Sequence, residues 1–298
     1  MVGRPLVLAG LQETWLPLRA DLFPQVVLLD LSHPQLLIGQ SLKGGGPVEP
    51  LWTAPVPART LRDGIPIVRD ALGDFIGDLL LEHSRPYAGL VVALPRVLGQ
   101  WRVIEWPGGQ APSDPVTALR TRGAELGWPF GLNEACFDVQ PLPGTRSCSL
   151  VAGASRQAVE AWIDVFAIAG GSLRHLFPSQ AALMAALRPE LEQAAPGELV
   201  ALLQPTISDC QLVVWRDGIP EYERTLPLAL DQLVPVLRQA LGFCRSRLGA
   251  AGVRLILAEP LEGSDTLAEH LGLPLEIADR GDYGSLHLQG LGQLELAT

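Results

Sequence analysis

The sequence predicts a mixed α/β protein built as two lobes, and three observations carry that expectation. Val26–Leu31 and Gly89–Leu94 are nearly all-apolar runs, the pattern of strands covered by helices on both faces of a sheet. The stretch from Ser147 to Leu187 alternates strand, helix, strand, helix, which is the rhythm of an α/β layer structure. A chain of 298 residues that is 48% hydrophobic and 18% charged has enough apolar material for about two domain cores and little for long disordered segments.

Residues 1–25 are hard to place, and Leu11 to Leu22 reads either as a short helix or as an irregular lead-in. Val26–Leu31 pairs as a hairpin with Leu36–Gln40 across Ser32-His-Pro-Gln35, and Lys43-Gly-Gly-Gly-Pro47 is a flexible loop. Prolines and a glycine limit residues 50–66 to short strands and turns. Val68, Ala71, Leu72, Phe75, Ile76, Leu79 and Leu80 then recur at helical spacing up to about Ser84, with Asp63, Asp70, Asp74 and Asp78 as a solvated polar side. Gly89–Leu94 is a buried strand ended by Pro95, and Val97–Trp106 is strand-like. Asp114-Pro115 supplies a cap and a first-turn proline for a helix ending near Gly127, and Ala135–Gln140 is a strand.

Ser147–Gly153 is a half-apolar strand, and Ser155 offers its hydroxyl to the free N–H groups of the following helix. Ala158, Ala161, Trp162, Val165, Phe166 and Ala169 line one face of that helix, which Gly170-Gly171 ends. Ser172–Phe177 is extended, Pro178-Ser179 caps a helix from Gln180 to Leu187, and Pro189 stops it. Ala194–Glu198 is the joint into a second lobe. Strands at Leu199–Leu203 and Cys210–Trp215 are followed, across Asp217-Gly218, by a third at Glu221–Leu226. A long helix from about Leu230 to Leu248, a strand at Val253–Ala258, a short helix capped by Ser264 and an alternating tail through Leu296 complete the order. No internal repeat stands out among the residues.

Bulk properties exclude several classes. The net charge of −10, with 32 acidic against 22 basic residues and no basic cluster, argues against nucleic acid. Apolar runs are interrupted by Asp30, His33, Pro34 or Asp164 before they reach membrane-spanning length, and Pro5–Gly10 is too short for a signal peptide. Cys136, Cys148, Cys210 and Cys244 lack any paired spacing and read as buried, reduced thiols. His33, His83, His175 and His270 lie in separate segments without metal-ligand spacing. Gly153-Ala-Ser155-Arg-Gln157, with His287 and Asp279 or Asp282 downstream, has the order of a hydrolase triad, but Gln157 is too large for a nucleophile elbow and Ser155 reads as a helix cap.

Leu150–Ala154, the helix ending in Ala169-Gly-Gly171, the strand after it and Pro178–Leu183 together resemble the PilM family of type IV pilus assembly proteins, whose actin-like fold is related to the cell-division protein FtsA. The resemblance implies an actin-like (ribonuclease H-like) two-lobe fold with an inserted subdomain 1C. Residues 1–95 plus 172–193 would form subdomain 1A, 96–171 the insertion, and 194–298 the second lobe, 2A with a shortened 2B. It also implies a cytoplasmic, non-catalytic adaptor held at the inner membrane by a single-pass PilN-like partner. The partner's N-terminal tail would enter a groove between the first subdomain and the insertion, by addition to a sheet edge and apolar pockets. Arg96, Trp101, Arg102 and Trp128 are the binding candidates, since Trp and Arg are enriched at hot spots. The alternatives from the same resemblance are an actin-like ATP-binding protein, either a component like the type II secretion protein GspL or a kinase-like enzyme.

The family's nucleotide pattern is eroded. Its first turn has an Asp-x-Gly, hydroxyl residues and a later lysine; here Asp30 remains, Ser32 takes the glycine position, His33-Pro34-Gln35 the hydroxyl run and Leu37 the lysine position. Gln204 and Thr206 stand at the acid and glycine of the second turn, and Glu259-Pro260 replaces the paired glycines of the third. Loss of glycine and gain of proline remove the close N–H approach that phosphate needs. The expectation is a defunct site with no cofactor, neither ATP nor Mg²⁺.

Overall fold

The computed structural model describes residues 25–33, 35–43, 46–122, 127–142 and 148–297. The readings of residues 1–24, of Pro34, of Gly44-Gly45, of the helix end over 123–126 and of Ser147 therefore fall outside the described residues. The first sheet has the order β10–β6–β1–β2–β3, formed by β1 (Val26–Asp30), β2 (Leu36–Lys43), β3 (Gly46–Pro55), β6 (Gly89–Leu94) and β10 (Ser172–Pro178). A small hairpin of β4 (Leu61–Arg62) and β5 (Ile65–Pro66) precedes helix α1 (Arg69–Glu82). Asp63 and Gly64, both at positive φ, make its turn, so Asp63 is not on the helix as its spacing had suggested.

The all-apolar strands behave as their pattern demands. Val27, Leu29, Leu31, Leu90, Val92 and Leu94 point into a core with α1 and α3 (Arg156–Ile168), while Leu28, Val91 and Ala93 point to the opposite face. Helix α3, assigned from its position to the insertion, thus belongs to the first lobe: Ala158, Trp162, Val165 and Phe166 complete that core. Ser155 caps it, accepting from the Ala158 amide at 3.2 Å.

The insertion proper is a three-stranded sheet in the order β7 (Gln100–Glu105), β9 (Cys148–Ser155), β8 (Ala135–Pro141), with α2 (Pro115–Arg122) on one face. Asp114 Oδ1 accepts from the Thr117 amide at 3.0 Å, the cap read from Asp114-Pro115. Cys136 on β8 is exposed, unlike Cys148, Cys210 and Cys244, because alternate residues of this strand face outward.

The second sheet repeats the topology of the first: β13 (Ile219–Pro227), β12 (Asp209–Arg216), β11 (Leu199–Pro205), β14 (Val253–Leu257), β15 (Leu275–Ile277). In each lobe three antiparallel strands are followed by two parallel ones. Helices α6 (Leu230–Leu248) and α7 (Ser264–Leu271) cover its outer face through Leu233, Leu237, Leu241 and Leu267. Gly263, at φ 78°, takes the cap position of α7 that was read at Ser264.

Between the sheets lie α4 (Ser179–Ala186), α5 (Arg188–Gln193) and α8 (Leu286–Ala297). Pro189 lies in the first turn of α5, where its missing N–H costs nothing, so it restarts the helix after Leu187 instead of stopping it. Helix α8 corrects the alternating tail, and its position corrects the assignment of the whole C-terminal segment to the second lobe. Leu288 and Leu291 pack on the first sheet, while Leu286 packs on the second. A helix buried on several sides loses the one-sided stripe by which helices are recognised.

Candidate functional site

Among the described residues, two of the places that concentrate polar or concave features bear on the sequence reading: the ends of β1 and β11 where the lobes meet, and a groove beside the insertion. At the first, Asp30 ends the central strand of lobe one with its side chain 3% exposed. Its Oδ1 accepts from the Ser32 amide at 2.9 Å and its Oδ2 from Ser285 Oγ at 2.8 Å, while His287 Nδ1 lies 3.3 Å from Oδ2 and 3.3 Å from Ser32 Oγ. Ser285 also caps α8, accepting from the Leu288 amide at 3.2 Å. Burial works to raise the Asp30 carboxyl, but the His287 ring and the hydrogen bonds from His287 and Ser32 outweigh it and hold the group well below the usual carboxylate range. Gln40 brackets the approach to α8, donating to the Asp282 carbonyl at 2.9 Å and accepting from the Gly284 amide at 3.1 Å.

The other positions of the three turns are occupied by the protein's own contacts. Leu37 is fully buried in the first core and faces no cleft. Thr206 Oγ1 accepts from the Ser208 and Asp209 amides at 3.3 and 3.1 Å, and the Thr206 amide donates to the Asp209 carbonyl at 2.7 Å. Gln204, one residue before the end of β11, pairs opposite Gln211. Glu259 is exposed and meets Arg280 at 3.4 Å, and Pro260 beside it is exposed. Partial burial lowers the His33 imidazole against the opposing pull of Asp30 and Asp209. Among the described residues no group of three or more His, Cys, Asp or Glu side chains could hold a metal ion. The hydrolase order dissolves as well: Ser155 caps α3, His287 meets Asp30, and Asp279 Oδ1 accepts from the Gly281 amide at 2.9 Å.

The second place is a groove of about 460 Å³. One wall is the face of the inserted sheet on which Asp138 lies opposite Ala152, and Gln140 opposite Leu150. The other is Ala181, Met184, Ala185 and Arg188, a stripe at three- and four-residue spacing on α4 and the start of α5, with Leu294 of α8 contributing. The remaining sides of α4 are spent on the two lobes, Ala182 against the first sheet and Leu183 and Ala186 against the second. A helix apolar on three faces, two of them in cores, is the signal in the sequence that could have found this groove.

The four tryptophan and arginine candidates lie elsewhere. Arg96 Nη1 and Trp101 Nε1 both donate to Glu223 of β13, at 3.1 and 2.6 Å, and so tie the insertion to the second lobe. Arg102 lies 5.3 Å over the Trp128 ring, which packs with Phe130 and Phe137 on the far face of the inserted sheet. None of the four lines the groove.

No family model and no curated protein matches the sequence. Solved structures do. A chain of the PilM–PilN type IV pilus biogenesis complex superposes with a TM-score of 0.68 at 22% identity, over 90% of this chain and 94% of that one. The fold is actin-like. A Bacteroides thetaiotaomicron protein of unknown function with an actin-like ATPase fold matches at TM-score 0.54 and 9% identity, over 90% and 95% of the two chains. The cytoplasmic domain of EpsL, an inner-membrane component of the Vibrio cholerae type II secretion system, matches at 0.53 and 16%, over 92% and 95%. Among the described residues of this actin-like chain, no helix is long and apolar enough to cross a membrane.

Proposed function

We propose that the protein is a non-catalytic, cytoplasmic scaffold of a type IV pilus machine that binds the N-terminal tail of a PilN-like inner-membrane protein in the groove between α4 and the inserted sheet. The groove carries the reading: its lining is mostly apolar with a few polar groups, and its size takes a few side chains of an extended peptide. The likeness to a chain of the PilM–PilN complex, high in coverage, supports the same partner class. Strand addition is disfavoured as the binding mode. On the edge strand β8 the Val139 amide donates to the Asp138 carboxylate at 2.9 Å, and Pro141 has no amide, so side-chain pockets supply the affinity.

Nucleotide has no role in this reading. Both Asp30 oxygens are engaged, and the Thr206, Ser208 and Asp209 amides close their own turn. Calorimetric titration with the partner's N-terminal peptide, run beside MgATP, tests both halves. Peptide binding that Ala181→Glu weakens at least tenfold, about 1.4 kcal/mol, is expected. ATP binding tighter than about 10 μM, roughly −7 kcal/mol, would overturn the scaffold reading.

A further inference from the structure

A chain of contacts runs from the Asp30 cluster to the groove. Asp30 at the end of β1 holds Ser285 and His287 at the start of α8. Three residues past His287, Gly290 lies so close to α4 that a Cβ there would sit 1.8 Å from the Ala182 carbonyl oxygen, so the two helix backbones are in contact. Ala182 is flanked by Ala181 and followed by Met184 and Ala185, which wall the groove. Leu294, about 10 Å along α8 from His287, enters the same groove. At its far end α8 is held by Glu295, which meets Arg174 at 2.5 Å and His175 at 3.5 Å on β10.

We infer that Asp30, Ser285 and His287 are positioning residues for the peptide groove: by fixing α8 along the first sheet they set where α4 and Leu294 stand against the inserted sheet. A carboxylate at the lobe junction then serves the protein–protein site through a rigid helix pair and needs no bound ligand to do so. Packed interfaces of this kind hold discrete arrangements and do not deform smoothly, so a lost anchor is felt at the groove.

The inference rests on the proposed peptide site, and the experiment separates the two. A fluorescent peptide copying the N-terminal tail of the PilN-like protein of the same genome is titrated into wild type, His287→Ala, His287→Asn, Ser155→Ala and Ala181→Glu, each checked for folding by circular dichroism. His287→Ala is expected to weaken binding on the order of tenfold and to speed hydrogen exchange at residues 181–185. His287→Asn keeps a side-chain N–H near the Nδ1 position and is expected to restore most of both, whereas Ser155→Ala, a lost cap of α3 at a residue that does not line the groove, leaves binding unchanged. Should folded His287→Ala bind as wild type does while Ala181→Glu does not bind, the positioning role is overturned and the groove stands. Wild-type binding that Ala181→Glu leaves intact, or no binding by wild type, overturns both. If His287→Ala does not fold, Ser285→Ala, which removes one bond to Asp30 together with the cap of α8, takes its place with the same outcomes.

Discussion

Asp30 is conspicuous in the sequence because it ends an apolar strand, yet its side-chain partner Ser285 lies 255 residues away and His287 lies just beyond it. Its carboxyl is depressed in the folded protein, so its contribution is complete above the unfolded-state value of about 3.9 and drains away as pH falls below it. Wild type should therefore lose unfolding free energy more steeply than Asp30→Asn as acid is added from about pH 4 downward, followed by urea melts at each pH. At neutral pH the same substitution should cost about 3 kcal/mol, because it breaks a buried pair and leaves His287 facing an amide. Ser155→Ala should cost about 1 kcal/mol in the same melts and abolish no chemistry, as befits a cap. That cap was legible from Ser155 alone, since capping is decided within one helical turn. The Asp30 cluster was not, since hydrogen bonds between distant segments leave no local pattern.

Helices show the same division. The stripes of α1, α3 and α6 were readable because each has one buried side, and α6 spans the residues its period predicts. Helix α8 was misread because Leu286, Leu288 and Leu291 divide between two sheets, and Gly290 and Gly292 are buried as well. Gly290→Ala should be severe for the same reason: its methyl group would meet the Ala182 carbonyl, a backbone atom that cannot turn aside. A loss of about 3 kcal/mol or failure to fold is expected by thermal melting, whereas Gly242→Ala, in the exposed interior of α6 with nothing near the added carbon, should stabilise by about 0.5–1 kcal/mol. The insertion was legible as an element order, whereas its boundary was misplaced because the helix after β9 packs backward into the first lobe.

At the scale of the molecule, two sheets of one topology enclose a shared helical layer, and the insertion is moored to the second lobe by Glu223. Glu223→Ala removes the acceptor of both Arg96 and Trp101, and should cost about 2 kcal/mol while raising hydrogen exchange across β7 and β13. The duplication of topology has no counterpart in the residues: Val26-Val-Leu-Leu-Asp30 and Leu199-Val-Ala-Leu-Leu203 share only their apolar character. A sheet buried on both faces asks for hydrophobicity and little else. The groove depends on this assembly, because its walls come from the insertion, α4 and α8, three segments far apart in the chain.

By itself the sequence determined what is local or periodic: the buried strands, the one-sided helices, the caps at Asp114 and Ser155, and the Asp217-Gly218 turn. Tertiary structure alone decided which carboxylate meets which histidine, that Arg96 and Trp101 serve an internal joint, and that α4 leaves one apolar face open as a groove wall. The reason is one of range. Backbone conformation and burial period answer to residues a few places apart, while a site is made where segments hundreds of residues apart are brought into contact by packing.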